Sequence, residues 1–417
     1  VKTLKGLVLT TSSNLFHWGE DFAKFGRIKR PIFVVRKRGD LKKLAQLPAE
    51  TVVIASWSML ARNALAFQEH SYEVVVGDEA QALRNPFSKT TEAFYGKHCT
   101  NSGVAAKARR VFVISGTLFS NSAAETYSHV RANFPLEVPG GHLPFHDYGP
   151  VYAYPRQTAK GHVFYVGARN EEPLVKAFGS RSLGRTLDDV GIELPPIRYT
   201  TYELSASAIP EKAIRDLEQH EAFKNLSRVL SDAEASQFLD QPLINGPLME
   251  LNRLTESAKA VPTAELVAEE LAESDKKFLI FTRFLAPSDI LMEKLAEFSP
   301  LRIVGGQSSD ERARVIKTFQ ENPKHRVMVA SIQAANAGIT LTAATDVMFL
   351  SADWDPAIND QAAKRAHRIG QTRPVLVRFV ALAGSIDVAI QRALARKTEQ
   401  LANLLKTPTH TDLKAVA

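Results

Sequence analysis

Short β-branched runs recur along this chain with room for a helix or loop between them, and that rhythm limits the possible folds more than any other feature. LVLT (7–10), TVVIAS (51–56), YEVVVG (72–77) and RVFVIS (110–115) form a first series. KFLIFT (277–282), RIVGG (302–306), RVMVAS (326–331), DVMFLS (346–351) and VLVRFVAL (375–382) form a second. Strands alternating with helical segments read as a parallel sheet with crossover helices. Two α/β lobes are therefore expected, over 1–135 and 261–417. The stretch between them, 136–260, opens with the Gly/Pro/His/Tyr-rich EVPGGHLPFHDYGPVYAYP and takes on helical periodicity from AIPEKAIRDLEQHEAFKNLSRVL onward. It reads as an insertion and inter-lobe bridge, mainly helical. DVAIQRALARKTEQLANLL reads as an amphipathic helix closing the second lobe.

A chain of 417 residues, 45% apolar and 23% charged, is long enough for two or three cores. Its formal charge of +7 favours a polyanionic partner, nucleic acid first. One cysteine, Cys99, excludes an internal disulfide and any multi-cysteine metal site, which fits a reducing intracellular compartment: cytoplasm, nucleoid or nucleus. No apolar run suits a membrane span, and the N-terminus lacks the pattern of a secretory signal. His142 and His146 lie among Pro and Gly without the acidic partner of a zinc helix, so no zinc is assigned.

YEVVVG runs directly into DEAQ, placing Asp78 and Glu79 at the carboxyl end of a buried parallel strand, where open α/β sheets bind their ligands. Adjacent carboxylates there can divide the work. Asp78 would hold magnesium, directly or through water, while Glu79 orients an attacking water, with Gln81 beside them. The next strand ends in SGT, so Ser115, Gly116 and Thr117 form a turn suited to sensing a terminal phosphate. In the second lobe Gly338 of NAGITL would allow close backbone approach to phosphate, sugar or nucleic acid. In DQAAKRAHRIGQ (360–371), Gln361, Arg365 and Arg368 stand four and three apart, which on a helix puts an amide and two guanidinium forks on one face. A solvated, charge-laced helix is the bland alternative.

DEAQALRN, SGT, NAGITL, SADWDP and QAAKRAHRIGQ, in that order, resemble the helicase-like ATPase core of superfamily two, and DWDP with HRIGQ resembles its Swi/Snf-type branch of DNA translocases. LVLTTSSNLFHWGEDFAKF, with Trp18 and Glu20, VVIASWSML, SLGRTLDDVGIELPPIRY and KFLIFTRF resemble weaker marks of that family, and PFHDYG resembles the annealing-helicase branch. The resemblance implies two RecA-like lobes with ATP bound in the cleft between them. It implies ATP and Mg2+ as cofactors, Asp78, Glu79, Arg365 and Arg368 as catalytic residues, and the two arginines as fingers. Double-stranded or branched DNA would be the partner, gripped through its backbone and tracked in the service of repair or remodelling. Protein partners stay open, and a monomer is the family default.

One departure is serious. The family's phosphate loop, G-x-x-x-x-G-K-[ST], is not found; the only Gly-Lys dipeptide, Gly96-Lys97, precedes His98. Two explanations stand: the loop lies upstream of Val1, or the chain is a degenerate ATPase serving as a DNA clamp or scaffold. As written, the chain is not expected to hydrolyse ATP efficiently. For DNA, the basic run GRIKRPIFVVRKRGDLKK offers Arg27, Lys29, Arg30, Arg36, Lys37 and Arg38, a solubilising face being the equal alternative. Trp57 joins these candidates as a stacking platform, with core packing as the competing reading.

Overall fold

The computed structural model describes residues 2–394, apart from 28, 117–118, 120–121, 158–160, 185–187, 210, 220–245, 336–338, 384, 386, 388–389 and 392–393. The chain divides into two compact units, Val1–Arg156 with Tyr165–Leu183, and Gln157–Phe164 with Gly184–Ala417. Each is a parallel sheet flanked by helices, the RecA-like class expected of the two strand series.

In the first unit the strands are β1 (Lys2–Thr10), β2 (Ile32–Val34), β3 (Val52–Ser56), β4 (His70–Asp78) and β5 (Ala108–Ile114), in the sheet order β2-β3-β1-β4-β5. Every pairing is parallel. Register sets Leu7 between Val53 and Val75, all fully buried, which is why these strands are apolar without alternation. It also pairs Asp78 with Ile114, so DEAQ and Ser115 leave neighbouring strands at the same end.

A satellite of aromatic packing follows. Phe145 meets Phe87, Tyr127 and Tyr165 edge-on, with centroids 5.3–5.5 Å apart. Gly149 lets the Tyr165 ring lie against its backbone, because a Cβ there would fall inside the ring's contact distance. A two-stranded sheet completes this stretch, the pairing of β6 (Tyr154–Gln157) with β7 (Val163–Val166).

The second unit contains β8 (Ile197–Leu204), β9 (Phe278–Thr282), β10 (Leu301–Ile303), β11 (Val327–Ser331), β12 (Asp346–Phe349) and β13 (Val375–Leu382), ordered β10-β11-β9-β12-β13-β8 and again all parallel. Phe281, Phe349 and Phe379 occupy matched positions on β9, β12 and β13 and stack at 4.9 and 4.8 Å. Such a ladder fixes register, since a one-residue slip would turn every ring to the other face. Two strands had no clear signal in the sequence. β2 is three residues inside the basic run, and β8 comes from the region expected to bridge the lobes; it extends the second sheet along the whole length of β13.

The long helix Gly246–Glu273 carries a buried polar stripe: Asn252, Thr255, Glu256, Lys259 and Thr263. Lys259 is fully buried, donates to the Val380 carbonyl at 2.9 Å and pairs with Asp387 at 2.9 Å. An isolated ammonium could not remain charged there, so the partner and the carbonyl are what make the position tenable. The helical periodicity expected from Ala208 onward is described as a helix over Glu211–Gln219, and most of the expected closing helix lies outside the described residues.

Candidate functional site

In the first unit, the carboxyl ends of β1, β3, β4 and β5 converge on Asp78. Its Oδ2 accepts the Thr10 hydroxyl at 2.7 Å and the Trp18 indole N–H at 2.8 Å, and its Oδ1 accepts the Glu79 amide at 2.9 Å. The Asp78 carbonyl accepts the Trp57 indole N–H at 2.7 Å. Gly77 makes that last contact possible: a Cβ at this position would stand 2.9 Å from the Trp57 ring, so the indole could not lie across the strand end. Charge-assisted donors of this kind fix a carboxylate's position and orientation before any ligand arrives.

Glu79 has a left-handed backbone, φ +54, uncommon for a residue with a side chain and of the sort that clusters at functional sites. From it runs a short chain of hydrogen bonds. The Gln81 amide nitrogen donates to Glu79 Oε2 at 2.6 Å, and Ser115 Oγ donates to Gln81 Oε1 at 2.7 Å. Glu79, Gln81 and Ser115 are thus one connected group. Gly116 leaves open space where a side chain would stand. Thr117 lies outside the described residues.

Magnesium fits Asp78 in a restricted way. Oδ2 already accepts two donors and Oδ1 one, leaving a single lone pair for a metal or its water. Among the described residues no group of three His, Cys, Asp or Glu could hold a metal by itself. An ion that keeps most of its waters and shares phosphate oxygens suits such a site.

Of the two readings of Trp57, the structure supports core packing. The residue is 6% exposed, packs edge-on against Phe94 at 5.5 Å and spends its N–H on Asp78. No ring face is left for a base. Trp18, noted only as part of a motif, is the indole that holds the carboxylate; nothing in a sequence indicates a hydrogen bond across sixty residues.

The arginine segment is also corrected. The helix spans Pro356–Ala363, so Gln361 lies on it while Arg365 and Arg368 follow its end. The carbonyls that would carry the helix onward are already occupied. Arg365 O accepts the Leu341 amide at 2.8 Å, and Ala366 O accepts the Gln371 side chain at 3.0 Å. Backbone bonds tighten to three-residue closures at Arg365 and Ala366, and Gly370 takes φ +102. Arg365 is buried; Arg368 is exposed, with its Nη1 3.4 Å from Thr340 Oγ1. His367 Nε2 lies 2.7 Å from the Pro195 carbonyl, the geometry of a protonated ring nitrogen donating to it. Gly338 lies outside the described residues.

Upstream of that helix, SADWDP is locked rather than loose. Asp355 caps the helix through the Ala357 amide at 3.0 Å, and Asn359 bonds both the amide and the carbonyl of Asp353, at 2.7 and 2.8 Å. Asp353 pairs with Arg283 at 3.1 Å, and the Arg283 amide donates to Glu256 at 2.8 Å. Burial pushes Glu256 up to about 7, against the opposing pull of that amide.

The basic run of the first unit presents Arg27, Lys29, Arg36, Lys37 and Arg38 as exposed residues, while Arg30 pairs with Glu50. Asp40 does not offset them by direct pairing alone. It accepts the Lys37 and Arg36 amides, each at 3.1 Å, and the Lys37 amide chiefly holds its carboxyl below the usual range.

Residues 262–370 match the family model of the helicase conserved C-terminal domain. The chain is 25% identical over 410 residues to the DNA annealing helicase and endonuclease ZRANB3 of Bos taurus, covering 94% of this chain and 36% of that protein. It is 25% identical over 387 residues to the SWI/SNF-related matrix-associated actin-dependent regulator of chromatin subfamily A-like protein 1 of Drosophila melanogaster, covering 86% of this chain and 46% of that one. The chain thus spans between about a third and a half of these relatives' length. A Sulfolobus solfataricus SWI2/SNF2 ATPase core in complex with dsDNA aligns over 99% of this chain and 84% of its own, with 23% identity and a TM-score of 0.38. Two parallel sheets, with DEAQ and Ser115 at neighbouring strand ends of the first and a helicase C-terminal match in the second, resemble the helicase-like core of superfamily two. Within that class the chain is similar to Swi/Snf-type proteins of the annealing-helicase branch.

Proposed function

We propose that this chain is the core of an ATP-dependent DNA motor that translocates on duplex DNA and remodels or anneals its structures. The observation that carries the proposal is the connected group Glu79–Gln81–Ser115 beside an Asp78 gripped by three donors. A carboxylate so fixed can steady a phosphate-bound ion, and its neighbour can orient water for in-line attack, which is nearly all that phosphoryl transfer asks of a protein. Magnesium, arriving with nucleotide, would share Asp78 directly or through water and offset phosphate charge. Arg365 and Arg368 would offset charge that develops in the transition state. Arg27, Lys29, Arg30, Arg36, Lys37 and Arg38 would contribute to a backbone grip, with little sequence preference and strong salt dependence. The relatives named for DNA annealing and for chromatin regulation support the motor reading and its substrate class.

A second reading is a clamp that binds DNA and nucleotide without turnover. DNA-stimulated ATP hydrolysis by the full-length gene product separates the two. Stimulation abolished by Glu79→Gln and by Arg365→Ala supports the motor; ATP and DNA binding with no hydrolysis supports the clamp.

A further inference from the structure

We propose that Gln371 is a positioning residue that makes the segment 339–345 and the turn 364–371 a single rigid body beneath Arg365 and Arg368. Its side chain is almost wholly buried, and every polar position on it is used. Nε2 donates to the carbonyls of Thr342 at 2.9 Å, Ala344 at 3.0 Å and Ala366 at 3.0 Å, so two hydrogens serve three acceptors. Oε1 accepts the amides of Thr372 at 2.9 Å and Arg373 at 3.0 Å. Only a primary amide offers both donors and an acceptor in one plane at this reach. A carboxylate would face three carbonyl oxygens, and an apolar chain would strand five backbone groups away from water.

Two further contacts run in parallel with it. The Leu341 amide donates to the Arg365 carbonyl at 2.8 Å, and on the far side of the loop Gln320 donates to Thr342 Oγ1 at 3.0 Å and accepts the Ala343 amide at 2.8 Å. The loop is therefore held from both sides, by Gln371 toward the arginine turn and by Gln320 toward the helix Ser309–Glu321. Two features that look separate in sequence, the segment 339–345 and the arginine turn 364–371, are mechanically one. A shift of the loop carries the bases of Arg365 and Arg368 with it.

The catalytic consequence rests on the motor reading above. Arginines that act on developing charge contribute to turnover rather than to ground-state binding, so loosening their base should lower kcat and spare KM. The test is Gln371→Met in full-length protein, alone and combined with Arg365→Ala. Gln371→Met is expected to lower kcat by about thirtyfold while KM for ATP and affinity for DNA stay within about threefold. In the Arg365→Ala background it should cost less than about threefold more, because the group it positions is gone. Equal losses in both backgrounds, or a raised KM with kcat unchanged, would overturn the proposal.

Amide hydrogen exchange on the unmodified protein tests the staple independently of hydrolysis and of whether the variant folds. The amides of Leu341, Thr372 and Arg373 are expected to exchange as one group, within about threefold of each other. Rates spread by more than about thirtyfold would show that loop and turn open separately, and would end the proposal whatever the hydrolysis assay gives. If the staple exchanges as one group but no DNA-stimulated hydrolysis is found, the motor reading fails and the rigid body stands.

Discussion

In the first unit the group of interest is a carboxylate, and side chains grip it: Thr10 and Trp18 hold Asp78 while Trp57 holds its carbonyl. In the second unit the groups of interest are guanidiniums, and it is the backbone beneath them that is gripped, by the amide of Gln371. The exposed tip of Arg368 has one long contact to Thr340. On the proposed reading, an acid that steadies a metal and a water would be fixed at its own oxygens, and a long arm that meets charge as it develops would be fixed at its base. Side-chain substitutions in the first unit should therefore disturb charge placement, and those in the second should disturb loop geometry.

The largest expected effects fall on the chemical groups. Arg365→Ala is expected to lower DNA-stimulated kcat by about a thousandfold or more, and Glu79→Gln by about a hundredfold or more, in steady-state ATPase assays on full-length protein. A loss in KM alone would show that either residue serves binding.

The next pair contrasts the units by pH. Burial pushes His129 in the first unit down to about 4 from an ordinary value of 6.5. A depressed folded value means the stabilising contribution is present above 6.5 and is lost as pH falls toward 4. Burial pushes Glu256 in the second unit up to about 7 from 4.5, so its contribution is present below 4.5 and is lost as pH rises through 7. Each window is worth about 3 kcal/mol. Urea unfolding across pH should show Glu256→Gln gaining stability over its parent as pH rises, and His129→Asn gaining over its parent as pH falls. The same sign for both would break the contrast.

Smaller effects sharpen the account of Asp78. Gly77→Ala forces a Cβ toward the Trp57 ring and should destabilise the first unit by about 1–3 kcal/mol, read as a lowered urea midpoint. Trp18→Phe removes one donor from Asp78 and keeps most of the ring's packing on Phe22. It should cost about 1 kcal/mol in stability or its equivalent in kcat, with little change in DNA affinity.

Much of this fold is legible in the sequence because its strands are buried on both faces and so appear as unbroken apolar runs. β3, β9, β11 and β12 stand where VVIAS, FLIFT, VMVAS and DVMF predict them. β2 and β8 are edge strands: β2 is only three residues long inside a basic run, and β8 is interrupted by exposed polar positions. DEAQ and SGT are readable because strand ends on a parallel sheet are where ligand groups must stand. The helix boundary before Arg365 is not readable: spacing of four and three fits a helix, but the side chain of Gln371 and the amide of Leu341 take the carbonyls that continuation needs. The partners of Asp78 were hidden for the same reason, being set by sheet order rather than by proximity in the chain.

The most direct test of the central claim is the ATPase rate of the Glu79→Gln/Arg365→Ala double variant in full-length protein with saturating duplex DNA. If Glu79 and Arg365 serve one hydrolytic step, the double variant should be no slower than the slower single variant by more than about threefold. Losses that multiply in full would show two independent roles and contradict the account.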